Sequence, residues 1–227
     1  MAEFKYQMHC HTSPCSHCGR IKPYDLIRGL HEAGYAGCVL TNHFYNGNCG
    51  IDRELPWKKF LSFYEKDYLE CCKAAEKYGI NILFGIEEHV GSGKEILCYG
   101  LTPEMLYSHP ELKEKSPEIW YKTLSALGVI IIQAHPFRQR SYMPDFGPLP
   151  EQFVDGIEVF NFGNLPEENE LAEKYAATHN NLILTSGADA HLSHVLSHGG
   201  IVTDKRIITS EELASILRNG EYSLIKE

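Results

Sequence analysis

The chain has 227 residues and a formal net charge of −9. That length suits one α/β domain, and that charge argues against broad binding to a phosphate backbone, so no extended nucleic-acid duplex is expected as a partner. Hydrophobic residues make up 43%, yet no run approaches the ~20 apolar residues needed to cross a bilayer. The opening MAEFKYQMHC has no signal-peptide core, so the expected location is the cytoplasm and no membrane partner is expected.

An apolar run at 4–9 reads as the first strand and leads into His9 and His11. A helix is predicted over 23–33, with Pro23 at its first turn and Gly34 past its end. The second strand, 37–42, leads into His43. The stretch 57–78 has Phe60, Leu61, Tyr64, Tyr68 and Leu69 at helical spacing, and Gly79 closes it. A third strand, 80–86, leads into Glu87, and a fourth covers 95–99. Ser116-Pro117-Glu118 opens a helix that Gly128 ends. The fifth strand, 129–134, is continuously apolar, as expected of a strand covered on both faces, and leads into His135. A sixth strand at 156–160 precedes a helix at 166–179. A seventh, 182–188, leads into Asp189 and His191. Thr209 with Glu212 forms a capping box for a last helix, which Gly220 stops.

Strands alternating with helices imply a parallel sheet with right-handed crossovers, as a barrel of seven or eight strands or as an open sheet. In either form, strand ends lie side by side, and five of them carry imidazoles or carboxylates. Such a rim suits divalent ions, and histidine mixed with carboxylate accepts zinc, manganese or iron. Long loops at 46–56 and 137–150 begin just after candidate ligands and are expected to act as lids. The eight cysteines read as reduced thiols, with Cys15 and Cys18 as a lone C-x-x-C. His31, His89, His109 and His179 read as core or surface residues. His194 and His198 are either proton donors at the rim or part of a short helix there. Glu158 is either a support or substrate contact or the partner of an arginine. Glu88 should point away from Glu87.

In order, His9-x-His11-x5-His17, Thr41-Asn42-His43, Gly85-Ile86-Glu87, Ala134-His135-Pro136-Phe137-Arg138 and Gly187-Ala188-Asp189-Ala190-His191 resemble the motifs of the polymerase-and-histidinol-phosphatase (PHP) superfamily. The resemblance implies a distorted (β/α)7 TIM-like barrel over 1–227, and two or three divalent metal ions that hydrolyse a small phosphate ester. It groups His9, His11, Glu87 and Asp189 on one ion, Glu87 and His135 on a second, and His17, His43 and His191 on a third. Arg138 and Asp189 become the catalytic candidates, and Arg138 with Arg140 the phosphate-binding ones. Gln7 and Asn42 stand where the family often has aspartate. Leu97 stands where many members have a further histidine, with Cys98 or His109 as replacements. The rival readings are a C–N hydrolase on a related barrel and a metal-binding module without catalysis. Oligomeric state is not readable from these features.

Overall fold

A computed structural model describes residues 3–141, 143 and 145–227. Its strands are β1 (Phe4–Cys10), β2 (Gly37–Leu40), β3 (Asn81–Phe84), β4 (Ile86–Gly91), β5 (Lys94–Tyr99), β6 (Ile130–Gln133), β7 (Gly156–Asn161), β8 (Ile183–Gly187), β9 (Gly200–Thr203) and β10 (Ser223–Ile225). The helices are α1 (Pro23–Glu32), α2 (Trp57–Ala75), α3 (Pro103–Tyr107), α4 (Pro117–Ser125), α5 (Pro166–Ala176) and α6 (Ser210–Asn219). Thr209 and Glu212 form the capping box expected for α6, and Gly220 ends it at φ +67°. The short strands β9 and β10 and the one-and-a-half-turn α3 had no clear periodic signal.

The strands form two five-stranded sheets, ordered β10-β9-β1-β2-β3 and β4-β5-β6-β7-β8. Both are mixed. β1, β2 and β3 run parallel, as do β6, β7 and β8, but β4 pairs antiparallel with β5 and β5 antiparallel with β6. These antiparallel pairs correct the expectation of an all-parallel sheet, and the distorted (β/α)7 barrel is not confirmed: no ladder closes the ring among the described residues. The sheets instead meet at single bridges, His43 with Glu87 and Cys10 with Ala190.

Chain length explains the reversal. A parallel return needs a crossover of a dozen or more residues, whereas β4 and β5 are joined through Ser92 and Gly93, both at positive φ. Gly85 lets the chain pass from one sheet to the other, because a Cβ there would lie 2.5 Å from Val39 Cγ1.

Beneath the rim, Tyr6, Met8, Leu83, Leu97, Tyr99, Ile130 and Ile132 form an apolar floor. The Tyr99 hydroxyl donates to Met8 O at 3.0 Å and ties β5 to β1 across it. The aromatic face of α2 packs Phe60 and Tyr64 edge-on to Phe44, beside the second strand's end. These contacts place the ends of β1, β2, β6 and β8 around one mouth, together with Glu87 near the start of β4 and Glu95 near the start of β5.

Candidate metal centre

Glu87, 1% exposed, is the hub. Its carboxylate lies 3.2 Å from His9 Nε2, 3.3 Å from His11 Nε2, 2.9 Å from His43 Nδ1 and 3.1 Å from His135 Nε2. Asp189 Oδ1 lies 3.4 Å from His9 Nε2 and 3.2 Å from His11 Nε2. Three strands, β1, β2 and β6, therefore deliver four imidazoles to one buried carboxylate, with a second carboxylate beside it.

The imidazoles are aimed from behind. His9 Nδ1 bonds Glu158 Oε1 at 3.0 Å, leaving Nε2 toward the centre. His11 Nδ1 bonds Ser16 Oγ at 3.0 Å, and Ser16 Oγ donates to Asn42 Oδ1 at 2.9 Å. Glu158 also accepts from the His135 backbone N–H and from Asn161 Nδ2. Of its two readings, support of the cluster is the one the structure shows. Such backing fixes the tautomer and raises ligand basicity. Gln7 Oε1 accepts from the Ala188 N–H, while its Nε2 holds the carbonyls of Leu196 and His198, so it pins the loop carrying Asp189. Asn42 Nδ2 donates to Asp67 Oδ2 at 2.8 Å. A carboxylate absent at position 42 is thus supplied from α2.

Two residues of the cluster sit in sparsely populated backbone, His135 at φ +30° and Asp189 at φ +52°. Positive φ in a non-glycine residue is costly and concentrates at functional sites.

The donor set fits divalent ions. His9 Nε2, His11 Nε2, His43 Nδ1, His135 Nδ1, Glu87 Oε2 and Asp189 Oδ1 are buried without a hydrogen bond, against the rule that buried polar atoms are paired. Donor atoms of His9, His11, Glu87 and Asp189 lie within 4.8 Å of one another, as do those of His43, Glu87 and Glu95, and those of His11, His43 and His191.

Charge follows the same geometry. Burial opposes ionisation of Glu87, but His9 and His43 outweigh it and hold the carboxyl well below its usual range. Asp189 is likewise held down against burial, by His9 and Arg138. Burial also works against a charged His9, yet Glu158, Asp189 and Glu87 raise its pKa well above the ordinary imidazole value. Burial, with His191 and His43 nearby, pushes His11 well below that value.

Glu95 was missed by sequence reasoning. Its Oε2 lies 3.5 Å from His135 Nε2 and its Oε1 3.8 Å from His43 Nδ1. Burial and neighbouring Glu87 push its pKa up to about 7. The expected replacements for Leu97 lie elsewhere. Cys98 is buried in the aromatic core and His109 pairs with Glu111 at 2.7 Å. Because β5 runs antiparallel, its first residues reach the rim. The Gly91-Ser92-Gly93 hairpin was the available signal.

His17 needs a second correction. It is exposed, its backbone N–H donating to Asn48 O at 2.9 Å. The turn from Thr12 to Gly19 directs Ser16 and Cys18 inward and His17 outward. Cys18 Sγ lies 3.0 Å from His191 Nε2. Although burial raises a thiol pKa, hydrogen bonds from His191 and His43 lower that of Cys18 to about 6. His191 stacks on His11 at 4.3 Å between centroids.

Arg138 is buried rather than free. Nη1 donates to Asp189 Oδ2 at 2.6 Å, Nη2 to Asn161 Oδ1 at 2.8 Å and Nε to Asn164 Oδ1 at 2.8 Å. Arg140 Nη1 donates to Glu168 Oε1 at 2.7 Å. Both arginines line a cleft of about 800 Å³ together with His43, Asn46, Asn48, Glu87, His89, Glu95, His135, Asp189 and His191. Residues of both expected lids, 46–48 of the first and Arg138 and Arg140 of the second, thus form its walls. Tyr142 and Pro144 of the second loop lie outside the described residues. His194 is exposed, and His198 stacks on Phe162 at 3.8 Å, outside the cluster.

Residues 7–224 match the PHP domain family. The chain is a PHP domain. Solved structures resemble the domain at low sequence identity. A two-domain protein from Bacteroides vulgatus, containing a predicted PHP-like metal-dependent phosphoesterase, aligns with TM-score 0.70 and 20% identity; all of the PHP domain is covered, but only 65% of that chain. PsfC from Pseudomonas syringae aligns with TM-score 0.68 and 13% identity, covering 100% of this chain and 93% of the other. An amidohydrolase from Chromobacterium violaceum, with bound sulfate and no metal, aligns with TM-score 0.59 and 15% identity, covering 96% and 97%. A search of the curated proteins gave no match. No helix of the PHP domain among the described residues is long and apolar enough to cross a membrane.

Proposed function

We propose that this PHP domain is a divalent-metal-dependent phosphoesterase that hydrolyses a small phosphate ester. The observation that carries the reading is the buried Glu87 carboxylate among four imidazoles, in a cleft that two arginines also line. His9, His11, Glu87 and Asp189 would hold one ion, Glu87, Glu95 and His135 a second, and His43 with His191 a third; zinc, manganese and iron all suit such donors. Bound there, the ions supply positive charge against the phosphate oxygens and lower the pKa of water.

The chain's own groups complete the site. Arg138 has five N–H donors. One on each nitrogen is committed to Asp189, Asn161 or Asn164, which leaves two for a phosphate oxygen. Asp189 faces the cluster with Oδ1 and holds Arg138 with Oδ2. That one carboxylate therefore sets the distance between the phosphate grip and the ligand set. Arg140, more exposed at the mouth, adds attraction for an anionic substrate. The cysteines are free thiols, which suits a reducing compartment such as the cytoplasm.

The fold shared with the Chromobacterium amidohydrolase keeps C–N hydrolysis as a second reading. The test is an assay of metal-loaded protein on an aryl phosphate monoester, an aryl diester, an amide and a lactone. Phosphate release that Glu87→Gln abolishes supports the phosphoesterase. Turnover of the amide or lactone alone replaces it with the C–N hydrolase. Tight metal binding with no turnover leaves a binding module.

A further inference from the structure

The outer side of the cluster holds a thiol that has no part in the phosphoesterase site described above. Cys18 Sγ lies 3.0 Å from His191 Nε2 and lines the cleft. His191 Nδ1 donates to Asp189 O at 2.9 Å, which leaves Nε2 as the ring nitrogen that faces the sulfur. His11 and His43 are more than nine-tenths buried, and His11 Nε2 and His43 Nδ1 lack hydrogen bonds. Donor atoms of His11, His43 and His191 lie within 4.8 Å of one another.

We infer that Cys18 is a metal ligand, completing with His43 and His191 a sulfur-bearing site, beside the ion that His11 serves, for a borderline-soft divalent ion such as zinc or iron(II), in preference to magnesium or manganese. The inference rests on the metal-centre reading. Thiolate sulfur is a soft donor, and two imidazoles with one thiolate make three corners of a tetrahedral set, with the fourth open to water or substrate. At Zn–S ≈ 2.3 Å and Zn–N ≈ 2.0–2.1 Å, two tetrahedral donors stand roughly 3.5 Å apart. Cys18 and His191 need to part by only about half an ångström from their 3.0 Å contact. Cys18 belongs to a surface turn rather than a strand, so this movement does not disturb a ladder. His17, its neighbour, is exposed, and its backbone N–H is held by Asn48 O.

Cobalt(II) is the probe, because a cysteine ligand gives it a near-ultraviolet sulfur-to-metal charge-transfer band. The full chain is stripped by a chelator, reloaded with cobalt, and read for cobalt per chain and for absorption. The expected result is a band in the native protein that disappears in Cys18→Ser and Cys18→His and persists in Cys49→Ser. Cys18→His should keep the native cobalt content, which separates loss of the sulfur from loss of the fold. Zinc affinity at the weakest site should fall roughly tenfold or more in Cys18→Ser, with manganese affinity little changed. Cobalt bound without the band, or a band unchanged in both Cys18 variants, overturns the Cys18 assignment alone. Failure of the native protein to bind cobalt overturns the metal centre and this site with it.

Discussion

Glu95 Oε2 lies 3.5 Å from His135 Nε2 although the two residues arrive on neighbouring strands of opposite direction. β6 delivers His135 just beyond its last residue, and β5 delivers Glu95 near its first. A carboxylate thus enters the rim at a place where a parallel strand would present its other end. Glu95→Gln should lower affinity for the ion near His135 by at least tenfold, with the fold intact. Isothermal titration with manganese and with zinc measures it, and unchanged affinities for both would remove Glu95 from the ligand set.

Metal affinity should rise with pH. Burial disfavours the charged form of both His9 and His43, but Glu158, Asp189 and Glu87 around the first, and Glu87 around the second, hold their pKa values well above the ordinary one. In the metal-free protein this favours the protonated form of both imidazoles. The stability this contributes is complete below the unfolded value of about 6.5 and is lost as pH rises through the raised folded values. A metal ion displaces the same protons, so its binding strengthens over that interval. Calorimetry in two buffers of different ionisation heat should show proton release on zinc binding near neutrality, diminishing at higher pH. Binding heats independent of buffer would contradict this charge assignment.

The two arginines should separate in stability. Arg138 and Asp189 form a buried pair at 2.6 Å, and removal of one partner from such a pair costs about 3–5 kcal/mol. Arg140 is partly exposed in its pair with Glu168, which places it nearer the ~0–1 kcal/mol of surface pairs. Urea unfolding of Arg138→Ala and Arg140→Ala reads the contrast. Arg140→Ala should also raise KM for a phosphate ester with kcat little affected. Equal, small shifts of the unfolding midpoint would mean that Arg138 does not anchor Asp189.

Gly187 is required for space. A Cβ there would lie 2.5 Å from His9 Cβ and 2.7 Å from Glu158 Oε1. Both neighbours are buried and held, so neither can swing away cheaply. Gly187→Ala should destabilise the fold by about 1–3 kcal/mol and weaken metal binding by displacing His9. Thermal unfolding with and without zinc tests this, and a variant with native stability and native zinc response would show that β1 and β8 can separate without harm.

Most elements of the fold were legible because their signals are local. Apolar runs mark strands whatever their partners, and proline, glycine and the Thr209–Glu212 box mark helix ends. The order of His9, His11, His43, Glu87, His135, Asp189 and His191 was likewise visible, each just after or at the end of an apolar run. Glu95 is hidden because the apolar pattern of 95–99 carries no strand direction, and a parallel strand would present Leu97 and Cys98 nearer the rim. His17 was favoured over Cys18 by its residue type, while the turn around it is set by bonds such as Ser16 N–H to Thr12 O and His17 N–H to Asn48 O. The hold of Arg138 by Asn161, Asn164 and Asp189 spans β7, its following loop and the end of β8, and no local pattern announces such a bond.

The amino-acid sequence alone determined that imidazoles and carboxylates stand at successive strand ends, because burial periodicity and turn chemistry are properties of short segments. Only the tertiary structure decided strand direction, the break into two sheets, and which face of the Thr12–Gly19 turn looks inward. Those depend on pairing between residues far apart in the chain, where a two-residue hairpin or one distant backbone hydrogen bond selects which side chain reaches the centre.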